Sequence, residues 1–140
     1  MIQQGQCTVF QKNCLSGLEN FAVGTSYVYK IALYTATADI GPDTLIYTSD
    51  GEISGTGYTA TGKVLTVIPP TTSNNVAYVS FEDVTWDPAA FTTAGALIYN
   101  STTGAAVAVL SFGSNKTAAN TFTITFPADT SSDAIIRFSN

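Results

Sequence analysis

From Ser26 onward the sequence is cut into short apolar-rich runs, each bounded by Gly, Pro, Asn, Asp or Ser, and no stretch of helical periodicity separates one run from the next. Parallel strands need crossovers of a dozen or more residues, usually helices, so this spacing restricts the chain to antiparallel pairing. In "SYVYKIALYT", Tyr27, Tyr29, Ile31 and Leu33 alternate with Val28, Lys30, Ala32 and Tyr34, the pattern of a half-buried strand. Gly41, Pro42 and Asp43 then break it with a turn. The later runs are "LIYTS", "KVLTVI", "VAYVSFEDVTW", "ALIYN", "AVAVLSF", "TFTITF" and "AIIRFS". About eight strands at this interval predict an all-β fold, an antiparallel β-sandwich of jelly-roll-like form. Ile31, Leu33, Val79, Phe81, Leu97, Tyr99, Val109 and Phe122 are its expected core.

Upstream of Ser26 the period is helical. In "TVFQKNCLSGLENFA" the apolar residues Phe10, Cys14, Leu15, Leu18 and Phe21 form one stripe, which predicts a short N-terminal helix over residues 9–20. Thr8 is placed to cap its start, Gly17 weakens it, and the segment ends near Gly24. Its polar face is not basic, so the stripe is expected to clamp one end of the β core rather than a membrane surface. At 140 residues the chain is one globular domain. Residues 1–24 form an arm and helix, and residues 25–140 the sandwich.

The stretch "EISGTGYTATGKVLTVIPP", residues 52–70, carries no nucleophile, base or metal cluster. Gly51, Gly55, Gly57 and Gly62 read as hinges of a connection leading into a strand over Lys63–Ile68. Pro69 and Pro70 are expected to end that strand by removing backbone donors. A phosphate-cradling loop would require a following GK[ST] and a helix, and neither is there.

The chemistry available to this chain is sparse. It has no histidine, so the usual general base near neutral pH is missing, and no catalytic residues or cofactor are assigned. Glu82, Asp83 and Asp87 gather around Trp86 and are the candidates for carboxylate or calcium chemistry. On one strand Glu82 and Asp83 face opposite sides, and no loop alternates acidic residues, so they read as solvated. Cys7 and Cys14 cannot supply the roughly four ligands of a zinc site; a disulfide is open to them if the segment is a loop, but on a helix they face different directions, and they are expected as buried or free thiols. Asn100 and Asn115 open N-x-[ST] sequons and read as turn residues. The net charge of −5, with Lys12, Lys30, Lys63, Lys116 and Arg137 scattered, argues against a nucleic-acid partner. No run approaches the roughly 18 apolar residues of a membrane span, and the first residues lack the pattern of a signal peptide. Charged residues are 11% of the chain against a usual share of about 25%, which suits a surface partly covered by other protein.

The order of "FQKNCLSGLENF", "YKIALYTATA", "EISGTGYTATGKVL", "VSFEDVTWDPAAFTTAGALIYN" and "AVAVLSFG" is similar to small virion proteins encoded by tailed bacteriophages. The resemblance spans roughly residues 10–126, and its motifs are core and turn residues. It implies a non-enzymatic structural protein of the virion, made in the host cytoplasm. Such a protein would be a capsid decoration (cement) protein on the head exterior, bound to the major capsid protein and to sister subunits as a homo-oligomer. The alternatives are a tail, neck or fibre-associated component, or a carbohydrate-binding module that uses Trp86 and the tyrosines as stacking platforms. Residues 1–9 and the loop around Ser54–Thr61 are expected to reach beyond the sandwich and order on the particle. Their contact candidates are Ile2, Cys7, Val9, Ser54, Gly55, Thr56, Gly57 and Tyr58.

Overall fold

A computed structural model describes residues 1–139. The expected class is the one observed: antiparallel sheets with one short N-terminal helix among the described residues. The strands are β1 (Gly5–Gln6), β2 (Tyr29–Tyr34), β3 (Lys63–Val64), β4 (Val67–Ser73), β5 (Val76–Phe81), β6 (Val84–Trp86), β7 (Phe91–Asn100), β8 (Ala106–Ala118), β9 (Phe122–Ile124) and β10 (Ile136–Ser139); the helix is α1 (Thr8–Leu15). They are divided among three hydrogen-bonded sheets: a five-stranded sheet β1-β8-β7-β2-β3, a three-stranded sheet β10-β5-β4 and the pair β6-β9.

The centre of the molecule is the antiparallel trio β2-β7-β8 of the five-stranded sheet. In register, Lys30 lies opposite Tyr99, Ala32 opposite Leu97 and Tyr34 opposite Gly95, so these residues share one face, while Tyr29, Ile31 and Leu33 share the other with Asn100, Ile98 and Ala96. The expected half-buried strand is instead buried on both faces. The long connection over residues 35–62 covers the Tyr99 face: Tyr47 stacks on Tyr99 at 4.8 Å, and Tyr34 Oη donates to Thr48 O at 2.6 Å. The opposite face is closed by Phe21, stacked on Tyr29 at 4.4 Å, and by Phe81 of β5. Of the expected core, Ile31, Leu33, Val79, Phe81, Leu97, Tyr99 and Val109 are buried, whereas Phe122 is only half-buried on the short β6-β9 pair.

Several boundaries differ for identifiable reasons. The run "VAYVSFEDVTW" is two strands in two sheets, broken at Glu82–Asp83. "LIYTS" forms no strand; Ile46 makes an isolated bridge to Ala105. Pro69 and Pro70 do not end a strand but lie inside β4, where the register shifts between Ile68 and Thr71. That is tolerated because β4 is the edge of its sheet and both prolines fall at the shift, where neither is paired with a residue of β5.

The helix is shorter than the apolar stripe suggests. Cys7, not Thr8, is its N-cap, without a side-chain bond. At the other end Leu18 N–H donates to Asn13 O at 2.8 Å and Gly17 N–H to Cys14 O at 3.3 Å, with Gly17 at φ +73°. This is a Schellman stop, for which a glycine in the left-handed region is suited. Phe10 is fully buried as the clamp residue, while Leu15 and Leu18 are left outside. Residues 1–24 are not a separate arm. Gly5–Gln6 pair with Val109 and Ala108 as the edge of the five-stranded sheet, Gln3 N–H donates to Ile40 O, and Cys7 N–H donates to Val107 O.

Candidate protein-contact surface

The glycine-rich stretch is organised by its first residue. Glu52 accepts from the Tyr47 hydroxyl on Oε1, and on Oε2 from the Tyr58 hydroxyl and from Thr61 N–H at 2.8 Å. Tyr99 Oη donates to Thr61 O at 2.5 Å, so four tyrosines, Tyr34, Tyr47, Tyr58 and Tyr99, hold the connection onto the sheet. Burial raises the pKa of each phenol, and the Glu52 charge raises it further, so all four stay protonated and donate at neutral pH. Two glycines are required by close approach. A Cβ at Gly57 would stand 1.8 Å from Pro88 O, and one at Gly62 would stand 2.0 Å from Ile31 O; both residues have positive φ.

These contacts revise the expected reach of the N-terminus and the loop. Ile2 is half-buried and bridges Ile40, Val9 is half-buried against the core, and Cys7 is fully buried with its Sγ toward Gly41 O, so Cys7 is not available to a partner. The loop lies on the 88–91 segment, with Ala90 N–H donating to Thr56 O at 3.0 Å. Ser54, Gly55, Thr56 and Gly57 keep their outer surface exposed there. Tyr58 turns inward against Trp86 and Phe91. Neither segment extends freely, because each is fixed by backbone hydrogen bonds to the sheets.

The other candidates are also placed. Trp86 is 3% exposed among Tyr58, Phe91 and Phe122, with Lys63 Nζ 5.6 Å from its ring, so it offers no face to a sugar. Glu82, Asp83 and Asp87 are exposed, and Asp83 Oδ1 accepts Phe126 N–H at 3.0 Å, tying β6 to the segment after β9. Cys7 and Cys14 are free. The intervening two turns of helix set them about 10 Å apart along its axis, beyond disulfide reach.

Exposed apolar residues not singled out by the sequence as a surface lie on segments tied to the β7–β8 turn. Asn100 Nδ2 donates to Glu19 Oε1 at 2.9 Å, which brings the segment after α1 to this turn. Ser101 N–H donates to Val28 O, Tyr47 N–H to Gly104 O, and Ala106 N–H to Leu45 O. The same segments expose Leu15 (92%), Leu18, Val23 (82%), Val28, Leu45 and Ile46. The sequence signal was the helical stripe itself, which continues past the point where Gly17 stops the helix. Comparison with protein families, with curated proteins and with solved structures finds no match to this chain.

Proposed function

We propose that the chain is a non-enzymatic structural protein of a tailed-bacteriophage virion, a decoration protein that binds the outside of the head. Its partners in this reading are the major capsid protein and sister copies of itself. The observation that carries the proposal is the exposed apolar rim of Leu15, Leu18, Val23, Val28, Leu45 and Ile46 on a chain only 11% charged. The resemblance of the motif order to small phage virion proteins is what points this reading to the surface of a phage head. Each contact is modest, and repeated simultaneous engagement across neighbouring capsid subunits raises the effective affinity without new chemistry.

The test is co-sedimentation of the purified chain with phage heads that lack it. The Leu15→Asp, Leu18→Asp double variant changes exposed positions, so its fold is retained, and binding should weaken at least about tenfold. Failure of the unaltered chain to bind heads, or equal binding by the variant, contradicts the proposal.

A further inference from the structure

The β6-β9 pair is a sheet of two strands, so β9 has β6 on one side and no strand on the other among the described residues. Thr85 O is turned away from β9, where it accepts from Lys63 Nζ. Thr85 and Thr123 are therefore a non-hydrogen-bonded pair, and their hydroxyls meet at 2.9 Å, as the closer side chains of such a pair do. The bonded pairs are then Val84 with Ile124 and Trp86 with Phe122, and the N–H and C=O of Thr123 point to the open edge. A cleft of about 350 Å³ runs along that edge. It touches Phe122, Thr123, Ile124 and Thr125 in succession. Alternate residues of a strand face opposite ways, so a space that meets four in a row lies beside the backbone. Its other wall is β8, through Phe112 and Lys116, beyond the two residues at which β1 pairs with that strand.

Exposed strand edges are normally blunted by charge or proline. β3 carries Lys63, β4 carries Pro69 and Pro70, and β10 carries Arg137, whereas "TFTITF", residues 121–126, carries neither. We propose that the β9 edge takes an extended segment of a partner protein, which adds a third strand to the β6-β9 pair and turns an apolar and an acidic side chain toward β8. Main-chain bonds to Thr123 hold the segment, and its side chains set its identity. Phe112 and Phe122, half-buried with ring centroids 6.1 Å apart, offer the apolar contact. Lys116 is the one charged residue of the lining, so the complementary side chain is a carboxylate. A second copy paired edge to edge does not supply it, because the cleft holds no acidic residue. The cleft shares no residue with the apolar rim, so it is tested apart from head binding.

The experiment titrates the acetylated, amidated peptide Thr-Leu-Thr-Glu-Thr into the isotope-labelled chain and follows the backbone amides of Phe112, Thr123 and Thr125. Saturable shifts centred on Thr123 are expected. Glutamine in place of the peptide's glutamate, or Lys116→Gln in the chain, should weaken binding about threefold, as for an exposed ion pair, and the two together no more than either alone. Of two peptides N-methylated at alternate amides, one should lose binding, because only one phase of an added strand faces β9. Thr123→Pro removes the edge N–H at a position that proline tolerates, and should abolish the shifts with the rest of the amide spectrum retained. No shift at Thr123, equal binding by the two methylated peptides, or binding as tight with lysine in place of the peptide's glutamate overturns the proposal. A Thr123 amide that moves with the chain's own concentration places a second copy on the edge and overturns it as well.

Discussion

Tyr58 gives Leu33 the hydrogen-bond partner that a neighbouring strand would otherwise provide: its hydroxyl accepts Leu33 N–H at 3.0 Å and donates to Glu52. β3 pairs only with Lys30 and Ile31, so at Leu33 this edge of β2 has run out of strand. Ile53 N–H completes the substitution by donating to Leu33 O at 3.0 Å. The loop is therefore a structural continuation of the sheet edge. Tyr58→Phe removes the acceptor and leaves a buried N–H unpaired, which should cost about 1–3 kcal/mol in chemical denaturation. A loss well below this range would mean that water replaces the phenol.

The glycines divide by what surrounds them. At Gly62 a Cβ would meet the Ile31 carbonyl at 2.0 Å, and backbone cannot move aside without breaking the β2–β3 pairing. At Gly17, with φ +73°, nothing lies within 4 Å. Gly17→Ala should cost only the left-handed strain, about 1–2 kcal/mol, while Gly62→Ala should cost more than about 3 kcal/mol or prevent folding. Thermal unfolding of the two variants side by side reads the difference.

Deleting residues 2–8 removes β1, the Ile2–Ile40 bridge and the buried Cys7. It also uncovers the edge of β8 along Ala108 and Val109. The truncated chain should lose stability by more than about 2 kcal/mol and aggregate more readily than the full chain. Size-exclusion chromatography and thermal melts check this; a truncation as stable and monodisperse as the full chain would show that β1 adds nothing.

Stability should fall at alkaline pH. The Cys7 thiol is pushed up from 9.0 to about 11 by burial and then by the Asp43 charge, and Cys14 likewise by burial and then by Glu19. The folded chain holds these protons more tightly than the unfolded one. Their contribution is therefore complete below about pH 9 and is lost as pH rises toward about 11. Tyr29, Tyr34, Tyr47 and Tyr58 are shifted in the same direction and add to the decline. Urea midpoints between about pH 8 and about pH 11 should fall steadily, and less steeply in Cys7→Ala.

Alternation made β2, β7 and most of the core readable from the sequence, because side-chain direction in a strand follows from position alone. What covered the second face of β2 was not readable: Tyr29 and Tyr34 look alike in sequence, yet one meets Phe21 and the other Thr48 through the path of a 28-residue connection. Glu52 carried no signal in the sequence, because its partners Tyr47, Tyr58 and Thr61 are brought to it only by that path. The exposure of Leu15 and Leu18 was hidden by the helical stripe, since the Schellman stop at Gly17 changes the direction of the chain without interrupting the apolar spacing. Of the contact candidates, Ser54 to Gly57 stay at the surface because their glycines face the 88–91 backbone on one side only.

The most direct measurement of the proposed role is the position and number of copies of this chain in a density map of the intact phage particle. Hundreds of copies on the outer head surface, seated through the rim of Leu15, Leu18, Val23, Val28, Leu45 and Ile46, are the expected result. A ring or a handful of copies at one vertex would place the chain in the tail or neck and contradict decoration, and particles that contain no copy would contradict a virion role altogether.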